Sequence, residues 1–207
     1  MNPRIGIIDS GVSEALFPHV AVSKRFDELP GAEPAQPDAV GHGDQLARII
    51  LRHCNITELH VAQVFQATRQ APISRVLDAI NWLVVSGAQI INMSFGIGLP
   101  SDKLRDACEY AKARGVLLIA SAPSTGKIVF PAAYSSCLSV TGDVRCSVEQ
   151  ISWLNQKHAE LGACSMIDPS DAEQGGGASL ACARVTGMVA HLMAAEKIPL
   201  HKVPNYL

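Results

Sequence analysis

The sequence predicts an α/β fold whose mainly parallel sheet is covered by helices on both faces. Short apolar runs rich in branched residues recur along the chain: RIGIID, LHVAQVF, AQIINMSF, GVLLIASA and CLSVTG. Their length and near-continuous apolarity suit strands buried on both sides. Segments of helical periodicity lie between them, and that alternation builds βαβ units. Finally, 48% of the 207 residues are hydrophobic and only 17% are charged, enough apolar material for a sizeable core.

RIGIID forms the first strand and ends on Asp9, followed by Ser10-Gly11. Residues 22 to 40 have no period and read as a loop. In GHGDQLARII, Leu46, Ala47, Ile49 and Ile50 start an apolar helical face. In SRVLDAINWLVVSG, Val76, Leu77, Ile80, Leu83 and Val84 share a face, and Gly87 is a C-terminal stop. In SDKLRDACEYAKARG the apolar set is Leu104, Ala107, Cys108 and Ala111. Ser101 and Asp102 favour the start of that helix, Lys112 and Arg114 its other end, and Gly115 terminates it. Residues 143 to 176 read as irregular. With no internal repeat and no long linker, residues 1–207 are expected to form a single domain.

A formal charge of −2 without Lys/Arg runs argues against nucleic acid or an anionic membrane as partner. No apolar run is expected to reach the roughly eighteen residues of a membrane span. The start, MNPRIGIIDSG, does not resemble a signal peptide, and neither a secretion signal nor a propeptide is expected. The six cysteines show neither a C-x-x-C pair nor zinc spacing, so reduced thiols and a cytoplasmic location are expected. Asp168, Asp171 and Glu173 are too scattered for a calcium loop; no metal and no cofactor are expected.

In such sheets chemistry gathers at the carboxyl ends of strands and the helix starts beside them. Asp9 closes a strand. His42 sits between glycines before a helix, and Ser179 follows Gly175, Gly176, Gly177 and Ala178 before the apolar segment LACARVTGMVAHLM. Each alone has a plainer explanation: a turn former, a loop residue, a helix cap. Asp, then His, then Ser in chain order is, however, one linear arrangement of the hydrolytic triad.

IGIIDSGV, GHGDQLARII and GASLACARVTG resemble the aspartate, histidine and serine motifs of the subtilisin-like serine proteases. VLDAINWLVVSGAQIINMSFG resembles that family's helix and substrate-binding strand, and GVLLIASA with FPAAYSSCLSVTG its next two strands. The resemblance runs from about residue 4 to 195 and implies a three-layer subtilisin-like fold. It implies Ser179 as nucleophile, His42 as general base and Asp9 as the residue orienting the imidazole. A peptide or protein substrate would lie extended against Ser94, Phe95 and Gly96, with Ala122 and Pro123 nearby. The implied activity is that of a serine endopeptidase, leader or precursor processing being one form.

Several positions depart from the family. Ser124, in SAPSTGK, stands where an oxyanion-hole asparagine is usual, and losing one such donor commonly lowers turnover by about 10²–10³. Asp44 and Gln45 replace Thr-His. Leu180 replaces a methionine, Ala183 a proline, and Arg184 the histidine often found there. A catalytically impaired module that binds peptides or proteins is therefore the alternative, with an esterase or acyltransferase third. His53, His60, His158, His191 and His201 are expected to be surface or satisfied core residues, Cys182 a small core residue, and Trp82 and Trp153 core or groove-wall residues.

Overall fold

A computed structural model describes residues 2–27, 34–66, 70–168 and 171–196. Parts of the expected irregular segments at 22–40 and 143–176 lie outside these residues, as do His201 and the side chains of Asp168, Asp171 and Glu173.

The strands are β1 (Arg4–Asp9), β2 (Val20–Arg25), β3 (Glu58–Gln63), β4 (Ile90–Met93), β5 (Leu117–Ser121), β6 (Cys137–Gly142), β7 (Ile151–Trp153), β8 (Leu161–Ala163), β9 (Met166–Asp168) and β10 (Asp171–Gly176). The helices are α1 (His42–His53), α2 (Ile73–Val85), α3 (Asp102–Ala113) and α4 (Ala178–Ala195). Among the described residues an eight-stranded sheet runs in the order β2-β3-β1-β4-β5-β6-β8-β7. Its pairings are parallel except for β7, which runs antiparallel to β8 at the edge. All five expected strands are present, and the fold is the α/β one expected.

Two expected loops contain strands. The last four residues of β2, which pairs with β3 at the sheet edge, fall within 22–40. Within 143–176 lie β7, β8 and the separate β9–β10 pair. Three-residue strands are too short to show a period, and the half-exposed edge sequence VAVSKR lacks the apolar run of a central strand.

Each face of the sheet carries its own core. Ile5 and Ile7 of β1 point toward α1 and α4, whereas Ile8 points toward α2 and α3. Gly6 lets α2 approach closely, since a Cβ there would lie 2.9 Å from a Leu83 methyl. The predicted helical faces are buried at Leu46, Ala47, Ile49 and Ile50 in α1 and at Val76, Ile80 and Leu83 in α2. Ser101 caps α3 by accepting the Leu104 N–H, and Gly87 and Gly115 take the left-handed conformations that end α2 and α3.

Helix α4 is apolar nearly all round because it runs between the sheet and α1, against β4, β5, β6 and β8. Contrary to the expectation from sequence, it is long and apolar enough to cross a membrane, but 56% of that stretch is buried within the fold, as suits a core helix. Gly187 lets it pack tightly on α1: a Cβ there would lie 2.8 Å from both the Ile50 carbonyl oxygen and the His53 Cβ.

After β1 the chain builds outward to β2 and β3, then returns to place β4 on the other side of β1. This reversal leaves a crevice at the carboxyl ends of β1 and β4, where such sheets bind ligands.

Candidate active site

Asp9 is delivered to the crevice by the end of β1 and is 1% exposed. A buried carboxylate needs donors, and its Oδ1 accepts the Ser10 N–H at 2.8 Å and the Ser10 hydroxyl at 3.1 Å. Its main partner is His42, whose Nδ1 lies 2.8 Å from Oδ1 and 3.0 Å from Oδ2. Donation from Nδ1 leaves Nε2 of the neutral ring as the acceptor, the tautomer a general base requires.

His42 is the first residue of α1, and its presentation depends on the preceding loop. Gly41 adopts a left-handed φ of 83°. The Asp38 carboxylate accepts three backbone N–H groups around it: Val40 and Gly41, each at 2.8 Å, and Asp44 at 2.9 Å. The Ser10 hydroxyl accepts the Gly43 N–H at 3.0 Å, tying α1 to the strand that carries Asp9. No side chain fits at Gly43, because a Cβ would run into the Gly11 carbonyl oxygen. Gln63 fixes the end of β1 by donating to the Ser10 carbonyl at 2.7 Å. Asp44, in place of the usual threonine, accepts from the Ser13 N–H and Arg48. Burial pushes its pKa up, but those hydrogen bonds hold it below the usual carboxylate value.

Ser179 is the second residue of α4, where helix N–H groups lack intrahelical partners. Its hydroxyl donates to the Ser94 carbonyl at 3.2 Å, and the Ser94 hydroxyl donates back to the Ser179 carbonyl at 3.2 Å. Below this pair, the fully buried Asn92 donates to Ser94 Oγ at 3.0 Å and accepts the Thr186 hydroxyl at 3.0 Å, joining β4 to α4. Cys182 is also fully buried. Burial pushes its thiol up to about 12, so it stays protonated as a core residue.

One cavity of about 220 Å³ is lined by Asp9, His42 and Ser179 together with Ser94, Phe95 and Gly96. Ser10, Val40 and Phe65 complete its wall. Ala122, Pro123 and Ser124 do not line it: Ala122 is buried, Pro123 half-buried, and Ser124 exposed on the turn after β5. Asp38, Gln63, Asn92 and Phe65 are not among the residues the sequence motifs single out. Two carried a signal, Asn92 as a polar residue inside an apolar strand and Asp38 as a helix-capping type just ahead of His42. Trp82 packs edge-on against Phe26, but Trp153, expected in a core or groove wall, is 61% exposed on the edge strand β7. An edge strand has only one covered face, so its other side chains meet solvent.

A second cavity, about 400 Å³, adjoins the first through Phe65, Phe95 and Gly96 and is otherwise mainly apolar, with Ile73, Val76, Ile97 and Leu104 in its walls. Among the described residues, no group of three or more His, Cys, Asp or Glu side chains is arranged to hold a metal ion.

An acid, an imidazole and a hydroxyl thus line one cavity at the switch point of a parallel sheet. Residues 2–203 match the model of the Subtilase family, Peptidase S8, and the chain belongs to that family. It is 28% identical over 148 residues to Subtilisin BL and Subtilisin Savinase of Lederbergia lenta, covering 66% of this chain and 54% of theirs. The chain thus spans about half the length of these relatives. In three dimensions it resembles the epidermin leader peptide processing serine protease of Staphylococcus aureus, with a TM-score of 0.81 and 17% identity across 99% of this chain and 68% of that one. A lanthipeptide protease superposes with a TM-score of 0.70 and 19% identity over 99% of this chain and 75% of that chain.

Proposed function

We propose that this chain is a serine endopeptidase that cleaves an extended peptide, with Ser179 as nucleophile, His42 as base and then acid, and Asp9 as the group that orients and stabilises the imidazole. The observation that carries this reading is the Asp9–His42 pair on one wall of the cavity that Ser179 also lines. Attack by Ser179 Oγ on a carbonyl carbon sends its proton to His42 Nε2, and the imidazolium then protonates the leaving amine. The unpaired N–H groups at the start of α4 favour the oxyanion that forms beside them.

The substrate backbone pairs with the segment Ser94–Gly96 by strand addition. An apolar side chain of the peptide occupies the adjoining 400 Å³ cavity. Two structural neighbours are by name a leader peptide processing serine protease and a lanthipeptide protease, which supports removal of a leader from a peptide precursor as the form this activity takes.

A fluorophosphonate probe tests the reading directly. Wild-type protein should label and Ser179→Ala should not, and cleavage of an extended peptide should follow the same pattern. Folded wild-type protein that neither labels nor cleaves at mildly alkaline pH would favour a peptide-binding module. The specific observation behind that second reading is that the Ser179 hydroxyl is committed to the Ser94 carbonyl, with Ser124 outside the cavity wall. If Ser124 nevertheless supplies an oxyanion donor, Ser124→Ala lowers kcat more than it raises KM, and Ser124→Asn raises kcat.

A further inference from the structure

Arg184 is a buried cation that the chemistry above does not use. It sits inside α4, five residues after Ser179, and is 2% exposed. Burying a guanidinium is costly unless its N–H groups are matched. Here Nη1 donates to the Cys164 carbonyl at 3.1 Å and Nη2 to the Met166 carbonyl at 2.7 Å. The two carbonyls flank Ser165 and are held by one planar fork, which a lysine could not reproduce.

Ser165 is the residue on which the nucleophile turn rests. Its carbonyl accepts the Gly177 N–H at 2.8 Å. Gly176 lies against the same carbonyl so closely that any Cβ would collide with it. Gly177 immediately precedes α4, and its own carbonyl accepts the N–H groups of Leu180 at 3.0 Å and Ala181 at 3.4 Å, closing the turn that carries Ser179. An unbroken chain of contacts therefore leads from the guanidinium through the Cys164–Met166 backbone to the turn bearing the hydroxyl.

We propose that Arg184 is a positioning residue for Ser179: its guanidinium fixes the segment Cys164–Met166, which seats Gly176 and Gly177 and so sets the first turn of α4. This rests on Ser179 being the nucleophile, as proposed above. A cation serves here where a hydrocarbon would fill the same space, because only donors can hold two carbonyls in register. The result is a bond network reaching from the body of the helix back to its own beginning.

The test compares Arg184→Met and Arg184→Lys with wild type, with active sites titrated by fluorophosphonate. In Arg184→Met, kcat per titrated site on an extended peptide should fall by on the order of 10- to 100-fold, as expected for a nucleophile displaced by up to ~1 Å. KM should stay within about twofold, since the Ser94–Gly96 wall is untouched. Arg184→Lys restores a charged donor and should recover part of the loss. By NMR, the Gly177 amide should exchange faster in Arg184→Met while the core amide of Val61 does not change. An unchanged kcat per titrated site, or unchanged Gly177 exchange, overturns the proposal. If Arg184→Met fails to fold, Arg184→Lys carries the same comparison, with a smaller loss expected and the same two overturning results. If the wild type neither labels nor turns over, it is the nucleophile reading that falls, and Gly177 exchange still decides whether Arg184 seats the turn.

Discussion

Replacing Asp9 by asparagine tests the core of the site while hardly altering its shape. Asp9 Oδ1 accepts the Ser10 N–H at 2.8 Å, so the amide oxygen must remain there and the amide nitrogen takes the place of Oδ2. That nitrogen then directs a hydrogen at His42 Nδ1 from 3.0 Å and competes with the amide oxygen, 2.8 Å from the same nitrogen, so the tautomer with its proton on Nε2, which cannot act as the base, is no longer excluded. The negative charge facing the developing imidazolium is lost as well. A carboxylate–imidazolium pair about 3 Å apart, with an effective dielectric constant of about 20, interacts by roughly 5.5 kcal/mol. At about 1.4 kcal/mol per tenfold in rate, this predicts a fall in kcat of about 10⁴, the size known for the analogous change in another serine protease. Peptide turnover and fluorophosphonate labelling measure the fall, with Ser179→Ala as the background and thermal unfolding as the folding control. A folded Asp9→Asn protein within tenfold of wild-type kcat would refute the assignment of Asp9 and His42.

Asp38→Ala removes the acceptor of three N–H groups around His42. Because water can replace it at the exposed Gly41, the loss in stability by urea unfolding should be only about 1–2 kcal/mol. Its kcat should fall more than its KM rises, and equal kcat would deny that Asp38 holds the histidine loop. Gly43→Ala forces a methyl into the Gly11 backbone; melting should show roughly 1–3 kcal/mol of destabilisation, and a protein as stable as wild type would contradict the contact. Burial lowers the pKa of both His53 and His60 below the ordinary imidazole value. The unfolded chain therefore binds more protons than the native one as pH drops below about 6.5, so stability present above that pH is lost on acidification. Urea midpoints should fall between about pH 7.5 and 5, less steeply in His60→Gln, whereas a flat or rising midpoint would contradict the burial.

What could be read in the sequence follows from how locally each feature is determined. Ile5, Ile7 and Ile8 announce a buried strand because a central strand is apolar on both faces, and Gly87 and Gly115 announce helix ends through backbone freedom alone. The motifs around Asp9, His42 and Ser179 could be recognised because each is local, at a strand end or a helix start. Strands β7 and β8 are not legible because three residues carry no period, nor is β2, whose half-exposed sequence looks like a loop. The roles of Asn92, Asp38 and Arg184 depend on partners brought together by folding: Asn92 meets Thr186, 94 residues away. For Arg184 the sequence offers only an unusual residue at a familiar position, because its partners, the Cys164 and Met166 carbonyls, lie 20 and 18 residues away.

The tight crossing of α1 and α4 at Gly187 gives these two helices a consequence beyond packing. Each starts at the cavity that Asp9, His42 and Ser179 line, one bearing the imidazole and the other the hydroxyl, and at Gly187 they pack with no room for a Cβ. A single methyl added at Gly187 would press on Ile50 and His53 of α1, and any shift it forced would load the hydrogen bonds that hold His42 and Ser179 at the two helix starts.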